Sequence, residues 1–335
     1  MSNTQPLATA VRSLRTDATT APCATPVRPR TVRRAPVAAP RRIGELFDAA
    51  RLWRSPEAGV ELTVVMPFYN PGLALRRTVK RLLACLREAG VGFEVIAVSD
   101  GCTDGSERTL GGLGSEVRVI VSPCNRGKGA ALHLGFARAR GSWVGFIDAD
   151  GDIDPEHLVE YLRIARAGQH AGVYADKRHG TSQSAASGFR KLVSVTYSTL
   201  VTSLFFLGVR DTQTGCKIFR RDVLAAVLPK LHERRFAFDL EFFVAAKAAG
   251  ICDLVAAPVR LQARLAGSTV TSGTILRTIR DTFVIFARLR LDKEYRPLDG
   301  STTAAGTPRV SSRWRELALA PRYVAERVSV EQQAA

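Results

Sequence analysis

The chain has 335 residues, of which 46% are hydrophobic and 24% are charged, and its formal net charge is +17. This balance is typical of a globular protein with a sizeable core and excludes a wholly disordered or collagen-like chain. The six cysteines lie far apart and form no CxxC pair, so a zinc knuckle or dithiol redox motif is not expected. The excess of positive charge favours anionic partners such as phosphorylated small molecules, acidic lipids and nucleic acids.

The first part of the chain is distinct in composition. Residues 1–57 contain ten Arg and four acidic residues, and they begin with a stretch rich in Ala, Thr, Pro and Arg. Because this stretch has no apolar period, we expect a disordered basic N-terminal arm over 1–57, within which 43–54 has the pattern of a short amphipathic helix. The arm is either a solvated tail or a segment that binds anionic lipid. Each basic residue near a lipid surface contributes about 1 kcal/mol to the binding free energy. No apolar signal region is visible near Met1, so a secretory leader is not expected.

Short apolar strands alternate with helical patterns between residues 58 and 295, and a polar tail is expected over 296–335. Strands are predicted at 62–66, 94–99, 117–121 and 143–147. Apolar residues at helical spacing predict helices at 75–86, 129–140 and 155–167. This alternation indicates an α/β domain with a Rossmann-like, mostly parallel sheet covered by helices on both faces. Ligands of such sheets bind outside the carboxyl ends of the strands.

Candidate site residues follow each predicted strand at the point where it ends. They are Pro67, Tyr69 and Asn70 after the first strand, Asp100 after the second, Arg126 and Lys128 after the third, and Asp148 and Asp150 after the fourth. Two cations among glycines at a helix start suit a phosphate, although neither a P-loop nor a dinucleotide fingerprint is present. Alternate residues on an extended chain point the same way, and a divalent ion held by such carboxylates and by substrate phosphates would relieve their repulsion. Ordinary surface-turn chemistry is the alternative interpretation.

Taken together, these turns resemble the family 2 glycosyltransferases of the GT-A fold. The matching segments are residues 65–70 (VMPFYN), 99–105 (SDGCTDG), 125–129 (NRGKG) and 148–151 (DADG). A fifth segment, residues 211–219 (DTQTGCKIF), is similar to the subgroup that glycosylates polyprenyl or dolichyl phosphate. The resemblance covers about residues 60–295, and the chain departs from the family pattern at Pro71, Ser99 and Cys102.

The resemblance implies a role for each of these side chains. It implies that the donor nucleotide is bound by Pro67, Tyr69, Asn70, Asp100, Arg126, Lys128, Asp148 and Asp150, with Asp100 accepting a hydrogen bond from a ring N–H of the base. It implies that Mg²⁺ or Mn²⁺ is bound by Asp150 and Asp148. It implies that the acceptor is bound by Arg190, Gln213 and Lys217, with Asp211 or Asp239 as the catalytic carboxylate.

The acceptor determines whether a general base is needed. A phosphate monoester has a second pKa of about 6 and is largely dianionic at neutral pH, so it attacks with little help. A hydroxyl acceptor requires a carboxylate within hydrogen-bond reach, and Asp211, Asp239 and Glu241 are the candidates. Asp211 ranks slightly ahead because the resemblance puts its segment at the acceptor, whereas a structural ion pair is the alternative for Glu241.

The uncharged run 192–209 lies between Arg190-Lys191 and Arg210, and six of its eighteen residues are Ser or Thr. This polarity makes a membrane span doubtful and favours an interfacial or buried helix. The basic amphipathic stretch 275–291 supports the interfacial placement. We therefore expect a peripheral protein at the cytoplasmic face of a membrane, with an anionic membrane surface as a partner.

The predicted function is an inverting glycosyltransferase that moves a hexose onto a polyprenyl or dolichyl phosphate at a membrane surface with the help of a metal ion. Glucose from UDP-glucose is the first choice, because the NRGKG and DADG segments look more like the glucosyl enzymes than the mannosyl ones. Transfer of mannose from GDP-mannose and transfer to a cell-wall or soluble hydroxyl acceptor remain alternatives. Aromatic residues make up only 7% of the chain and no nucleic-acid motif is visible, so no specific nucleic acid is expected as a partner.

Overall fold

The computed structural model describes residues 56–180, 188–261, 272–292 and Tyr295. The predicted amphipathic helix at 43–54 and the predicted tail at 296–335 lie outside the described residues. The domain boundaries predicted at 57 and 295 therefore stay predictions.

The core of the molecule is a seven-stranded sheet. Its strands are β1 Leu62–Phe68, β2 Phe93–Asp100, β3 Val117–Ser122, β4 Trp143–Ile147, β5 Gly172–Ala175, β6 Cys216–Arg220 and β7 Leu254–Ala257. They lie in the order β3-β2-β1-β4-β6-β5-β7. Strand β6 pairs antiparallel with β4 and β5, and the four other pairings are parallel. The prediction of a mostly parallel sheet is confirmed.

Seven α-helices connect and cover the strands in the described part of the chain. They are α1 Ala74–Glu88, α2 Lys128–Phe136, α3 Glu156–Ala167, α4 Gly188–Phe205, α5 Arg221–Val227, α6 Phe238–Ala248 and α7 Ser272–Ala287. Short 3₁₀ turns lie at Ser106–Leu110 and Leu228–Lys230, and a π-helical turn at Arg288–Asp292 follows α7. Helix α2 ends at Phe136, before the predicted end at 140, because the bonds from Arg138 N–H to the Gly135 carbonyl and from Ala139 N–H to the Phe136 carbonyl tighten the chain.

Helices cover both faces of the sheet, as the strand pattern predicted. On one face, Leu75, Val79 and Leu82 of α1 recur every three or four residues and pack with α3 over Val64 and Met66. On the other face, residues of α2, α5 and α6 pack in a second core cluster that includes Val65 and Val98. Since both faces are buried there, β1 and β4 are almost continuously apolar rather than alternating.

Helix α4 contains most of the uncharged run. Its Phe205 and Val201 are buried, and the ring of Phe205 lies 5.8 Å from that of Phe286 in α7. Val195 of the same helix is exposed. Within the residues that the structure describes, no helix combines the length and the apolar character that crossing a membrane requires.

Candidate functional site

The carboxyl ends of the parallel strands bring the predicted residues to one edge of the sheet. The register pairs Phe68 with Ser99 and Asp100 with Ser122, so β1, β2 and β3 end at the same level. Strand β4 runs parallel to β1, and Asp148 follows it directly. The turns after these four strands therefore lie along a single edge.

The turn after β1 is joined to the turn after β2. Asn70 adopts a left-handed backbone conformation, with φ of 49°, which suits a short polar side chain. Its amide oxygen accepts a hydrogen bond from Thr103 N–H at 2.9 Å, and its amide nitrogen donates to the Thr103 hydroxyl at 3.2 Å. Tyr69 is exposed beside it, whereas Pro67 is buried within β1.

Asp100 holds the loop that begins α2. Its two carboxylate oxygens accept the backbone N–H groups of Arg126 and Gly127, each at 2.8 Å. Gly127 has φ of 103°, and a Cβ atom there would lie 2.5 Å from the Arg234 carbonyl oxygen, so a side chain is excluded at this position. Each oxygen of Asp100 retains a second lone pair, which is compatible with the implied bond to a base N–H.

Four charged side chains form what we call the ion chain, which consists of Asp148, Lys128, Asp239 and Lys217. Lys128 Nζ lies 2.8 Å from Asp148 Oδ1 and 3.4 Å from Asp239 Oδ2. Lys217 Nζ lies 2.5 Å from Asp239 Oδ1 and donates to the Thr214 carbonyl at 2.9 Å. The two ammonium groups also lie 5.0 and 4.9 Å from the centre of the Phe146 ring. Lys128 of α2 thus contacts the carboxylate that follows β4, and Asp239 of α6 links Lys128 to Lys217 of β6.

Burial and charge act against each other in the ion chain. Burial raises the pKa of Asp148, and the neighbouring Asp150 carboxylate adds to this, while Lys128 opposes it. The pKa of Lys128 is raised although burial alone would lower it, because Asp148 and Asp239 favour the charged ammonium. Burial lowers the pKa of Lys217, and Asp239 counteracts the shift. The carboxylates and ammonium groups therefore stabilise one another's charged forms.

The open end of the ion chain carries the predicted metal ligands. The side chain of Asp148 is 30% exposed, whereas those of Asp239 and Lys217 are 3% and 1% exposed. Asp150 is exposed beside it, and one of its oxygens accepts the Asp152 N–H at 3.1 Å. Two carboxylates that open toward solvent at a strand end provide the oxygen ligands that Mg²⁺ and Mn²⁺ prefer, so the residues present fit the implied ion.

Asp211 organises the turn that leads into β6. It accepts hydrogen bonds from the Thr214 hydroxyl at 2.5 Å and from Gln213 N–H at 3.0 Å, and Lys177 Nζ lies 3.8 Å away. Burial would raise its pKa, but Lys177 and these hydrogen bonds hold the pKa below its usual value. Among the other predicted acceptor residues, Gln213 lies in this turn and is partly buried, and the side chain of Arg190 lies outside the described residues.

Two features of this edge escaped the sequence analysis. The first is Gly215, where a Cβ atom would lie 1.8 Å from Asp148 Oδ2. The second is the end of β5, which runs in the direction of β4 because both pair antiparallel with β6. A cavity of about 310 Å³ there is lined by Tyr174, Asp176, His179, Gly180, Gly208, Arg210 and Ala256. The change from apolar Tyr174-Ala175 to charged residues 176–178 was the available signal.

The family model and two relatives that match this chain are all glycosyltransferases. The model of the family described as "Glycosyl transferase family 2" matches residues 63–228. The human dolichyl-phosphate beta-glucosyltransferase is 34% identical over 221 residues, which are 61% of this chain and 68% of that protein. The Drosophila melanogaster dolichyl-phosphate beta-glucosyltransferase is 33% identical over 205 residues, or 56% of this chain and 63% of that protein.

A solved structure shows the same fold. The glucosyl-3-phosphoglycerate synthase from Mycobacterium tuberculosis, crystallised with Mn²⁺, UDP and glucosyl-3-phosphoglycerate, aligns with a TM-score of 0.52 and 19% identity. The alignment covers 78% of this chain and 87% of that one, which confirms the predicted GT-A fold. The chain belongs to glycosyl transferase family 2 and is a nucleotide-sugar-dependent glycosyltransferase.

Proposed function

We propose that the enzyme transfers glucose from UDP-glucose to a polyprenyl or dolichyl phosphate, with inversion at the anomeric carbon, at the cytoplasmic face of a membrane. The observation that carries this proposal is the meeting of Asp100, Lys128, Asp148 and Asp150 at one sheet edge. The names of the human and fly relatives support glucose as the sugar and dolichyl phosphate as the acceptor. Mannose transfer from GDP-mannose is the second candidate.

The donor side is suited to stabilising a leaving diphosphate. Negative charge grows on the diphosphate as the bond to the sugar breaks, so cationic groups placed beside it lower the barrier. Mg²⁺ or Mn²⁺ bound to Asp150 and Asp148 would supply positive charge to the diphosphate oxygens. Arg126 and Lys128 face the same edge, while Tyr69, Asn70 and Asp100 line the proposed base site beyond them.

The acceptor side favours a phosphate over a hydroxyl group. Asp211 and Asp239, the two predicted catalytic carboxylates, are buried and already accept hydrogen bonds or face ammonium groups. A hydroxyl acceptor needs a base within reach of its proton, whereas a dianionic phosphate does not. We infer that Asp211 acts by holding the acceptor-side turn, in which Gln213 lies, and that Arg190 serves the acceptor phosphate.

An exposed apolar surface on α4 and α7 supports the membrane part of the proposal. Helices α4 and α7 pack together through Tyr197 and Thr282, whose hydroxyl oxygens are 3.1 Å apart. Their outer sides and adjoining turns expose Val195, Phe206, Leu276, Phe283, Val284 and Leu291. Arg277, Arg280 and Arg290 are exposed among them. Apolar side chains interspersed with arginines suit the surface of an anionic membrane.

A donor and acceptor screen tests the reaction. Purified enzyme with Mn²⁺ receives labelled UDP-glucose or GDP-mannose together with a short-chain polyprenyl phosphate or the corresponding alcohol. We expect label to enter an organic-extractable product only with UDP-glucose and the phosphate. Extractable label from GDP-mannose would favour the mannosyl alternative, and label in the alcohol product would favour a hydroxyl acceptor.

Sedimentation with vesicles tests the membrane surface. We expect the protein to pellet with anionic phosphatidylserine vesicles at low ionic strength and to be released by salt. Leu276→Ser should weaken pelleting, because Leu276 is 70% exposed on α7. The matched control is Leu73→Ser, since Leu73 is 79% exposed but directly precedes α1 on the other face of the sheet. Equal effects of both substitutions would contradict the assignment of this surface.

A further inference from the structure

Asp239 is poorly placed to take a proton from an acceptor. Its Oδ1 lies 2.5 Å from Lys217 Nζ and its Oδ2 lies 3.4 Å from Lys128 Nζ, so both oxygens face ammonium groups. Its side chain is 3% exposed. A general base must come within hydrogen-bond reach of the proton that it removes. The geometry therefore calls for another role.

The position of Asp239 between two lysines indicates what it does. Lys128 and Lys217 both contact the Phe146 ring, and two ammonium groups this close to one ring repel each other. The carboxylate of Asp239 lies between them and compensates both charges. Since Lys217 is almost completely buried, this compensation is the main source of its stability as a cation.

Lys128 connects Asp239 to the open end of the ion chain. Its ammonium group lies 2.8 Å from Asp148 Oδ1. The other oxygen, Asp148 Oδ2, faces Gly215, where even a methyl group would collide with it. The carboxylate of Asp148 is thus fixed from two sides, by the glycine and by Lys128.

We propose that Asp239 is a positioning residue that acts through Lys128. It holds the Lys128 ammonium group where that group fixes the Asp148 carboxylate for the metal ion and the donor diphosphate. The inference rests on the proposed function of this edge as the nucleotide-sugar site. It differs from a role in acceptor deprotonation, because it predicts an effect on donor binding before any acceptor is present.

The test is a double-mutant cycle read by isothermal titration calorimetry with UDP and Mn²⁺, without acceptor. Removing a partner that orients a ligating group typically weakens binding by about 10- to 100-fold. We expect Asp239→Asn to raise the Kd about tenfold and Lys128→Met to raise it at least as much, within this range. If Asp239 acts through Lys128, the Kd of the double variant should equal that of Lys128→Met alone.

Two results would overturn the proposal. One is an Asp239→Asn enzyme with wild-type Kd and a loss confined to kcat, as expected of a base. The other is an additive effect in the double variant, because Asp239 would then act on the donor independently of Lys128.

A further variant guards against misfolding. Asp239→Asn leaves the buried Lys217 ammonium without its carboxylate, whereas Lys217→Met/Asp239→Asn removes both charges and should restore the melting temperature. We expect its Kd for UDP and Mn²⁺ to stay raised. A wild-type Kd in this variant would mean that Asp239 only neutralises Lys217, which also contradicts the proposal.

The wild-type enzyme separates this inference from the proposed function. If wild-type protein binds GDP with Mn²⁺ but not UDP, the proposed donor is wrong, and the same cycle read with GDP still tests Asp239. Binding of neither nucleotide would overturn the proposed function and the inference with it. UDP binding by wild type together with an unchanged Kd in Asp239→Asn would overturn the inference alone.

Discussion

Glu94 and Asp239 are both buried carboxylates held by two cationic side chains, but they lie at opposite ends of the sheet. Glu94, near the start of β2, accepts Arg118 Nη1 at 2.8 Å and Arg140 Nε at 2.9 Å. The Thr63 hydroxyl donates to its other oxygen at 2.8 Å. Asp239 is paired in the same way with Lys128 and Lys217, but at the edge where the parallel strands end.

The two clusters differ in where their exposed ends lie. From Glu94, Arg140 leads to the exposed carboxylate of Glu57, at the end of the sheet where the parallel strands begin. From Asp239, Lys128 leads to the partly exposed carboxylate of Asp148, with Asp150 beside it, at the edge where those strands end. A buried ion pair that leads to an exposed carboxylate therefore does not by itself mark a functional site. Its position at the carboxyl edge of the sheet, with a second carboxylate beside the first, does.

The largest effect that this comparison predicts is on activity at the open end. Asp150→Ala should lower the rate of labelled sugar transfer by about 10³-fold, because it removes a metal ligand beside the leaving diphosphate. The melting temperature should hardly change, since Asp150 is exposed.

The matched control for Asp150 is Asp154→Ala. Asp154 is a carboxylate four residues further along, whose exposed ion pair with Arg81 spans 3.5 Å, and its replacement should leave the rate unchanged. Near wild-type transfer by Asp150→Ala in the presence of a chelator would rule out the metal-assisted scheme.

The second effect is on stability at the opposite edge. Glu94→Gln should lower the free energy of unfolding by about 3 kcal/mol, because two arginines lose a buried partner. Urea denaturation measures this loss. Transfer activity of the folded enzyme should be unchanged, and a specific loss of activity would mean that the two edges are coupled.

Glu116→Gln is the control for Glu94→Gln in the urea denaturation experiment. Glu116 pairs with Arg87 at 2.9 Å, but both side chains are at least 32% exposed. A solvent-exposed pair of this kind contributes at most about 1 kcal/mol.

In the ion chain, the exposed carboxylates were more predictable from sequence than the buried Asp239 and Lys217. Asp148 and Asp150 follow directly on an apolar strand, so strand direction alone puts them at an edge of the sheet. The contact between Asp239 and Lys217 joins residues 22 positions apart, and no local pattern indicates it. Lys217 was predicted to bind the acceptor because its segment matched the family, whereas the structure describes it as buried.

The fold shows the same division. The strands predicted at 62–66 and 143–147 were predictable from sequence. Each is an apolar run that is long enough to cross the sheet and is followed by turn residues. Strands β5 and β7 have only four residues each, too few for a period to stand out. The antiparallel direction of β6 depends on which strands it pairs with, which is a property of packing rather than of local sequence.

A smaller effect on activity tests how tightly Asp148 is held. Gly215→Ala would bring a Cβ atom to 1.8 Å from Asp148 Oδ2, so the carboxylate must move away from Lys128 or toward solvent. A displacement of about 1 Å in a catalytic group costs about 100-fold in rate, and we expect a loss of this size in kcat/KM. Gly111→Ala is the control, because a Cβ atom there would lie at an ordinary contact distance of 3.5 Å from its nearest neighbour, the Arg108 carbonyl oxygen. Equal rates for the two variants would show that Asp148 is not confined by Gly215.

The smallest effect concerns a third buried carboxylate, Glu241, which lies in α6 two residues after Asp239. Its Oε1 accepts the Tyr295 hydroxyl at 2.6 Å and faces Arg288 at 3.4 Å, and its Oε2 accepts His232 N–H at 2.8 Å. Burial raises its pKa to about 7, although the bond from Tyr295 lowers it. Since the pKa in the folded state exceeds the unfolded value, the stabilising contribution of Glu241 is complete below pH 4.5 and is lost as the pH rises through 7.

Tyr295→Phe should deepen that loss, because it removes a donor that favours the charged carboxylate. We expect the free energy of unfolding to fall by about 1.5 kcal/mol at pH 8, where Glu241 is ionised, and by less at pH 5, where it is protonated. Urea denaturation of both proteins at the two pH values measures the difference. Because Glu241 is fully buried whereas Asp148 is partly exposed, transfer by the folded Tyr295→Phe enzyme should match wild type. A larger destabilisation at pH 5 than at pH 8 would mean that the Tyr295 hydroxyl does not support the ionised carboxylate.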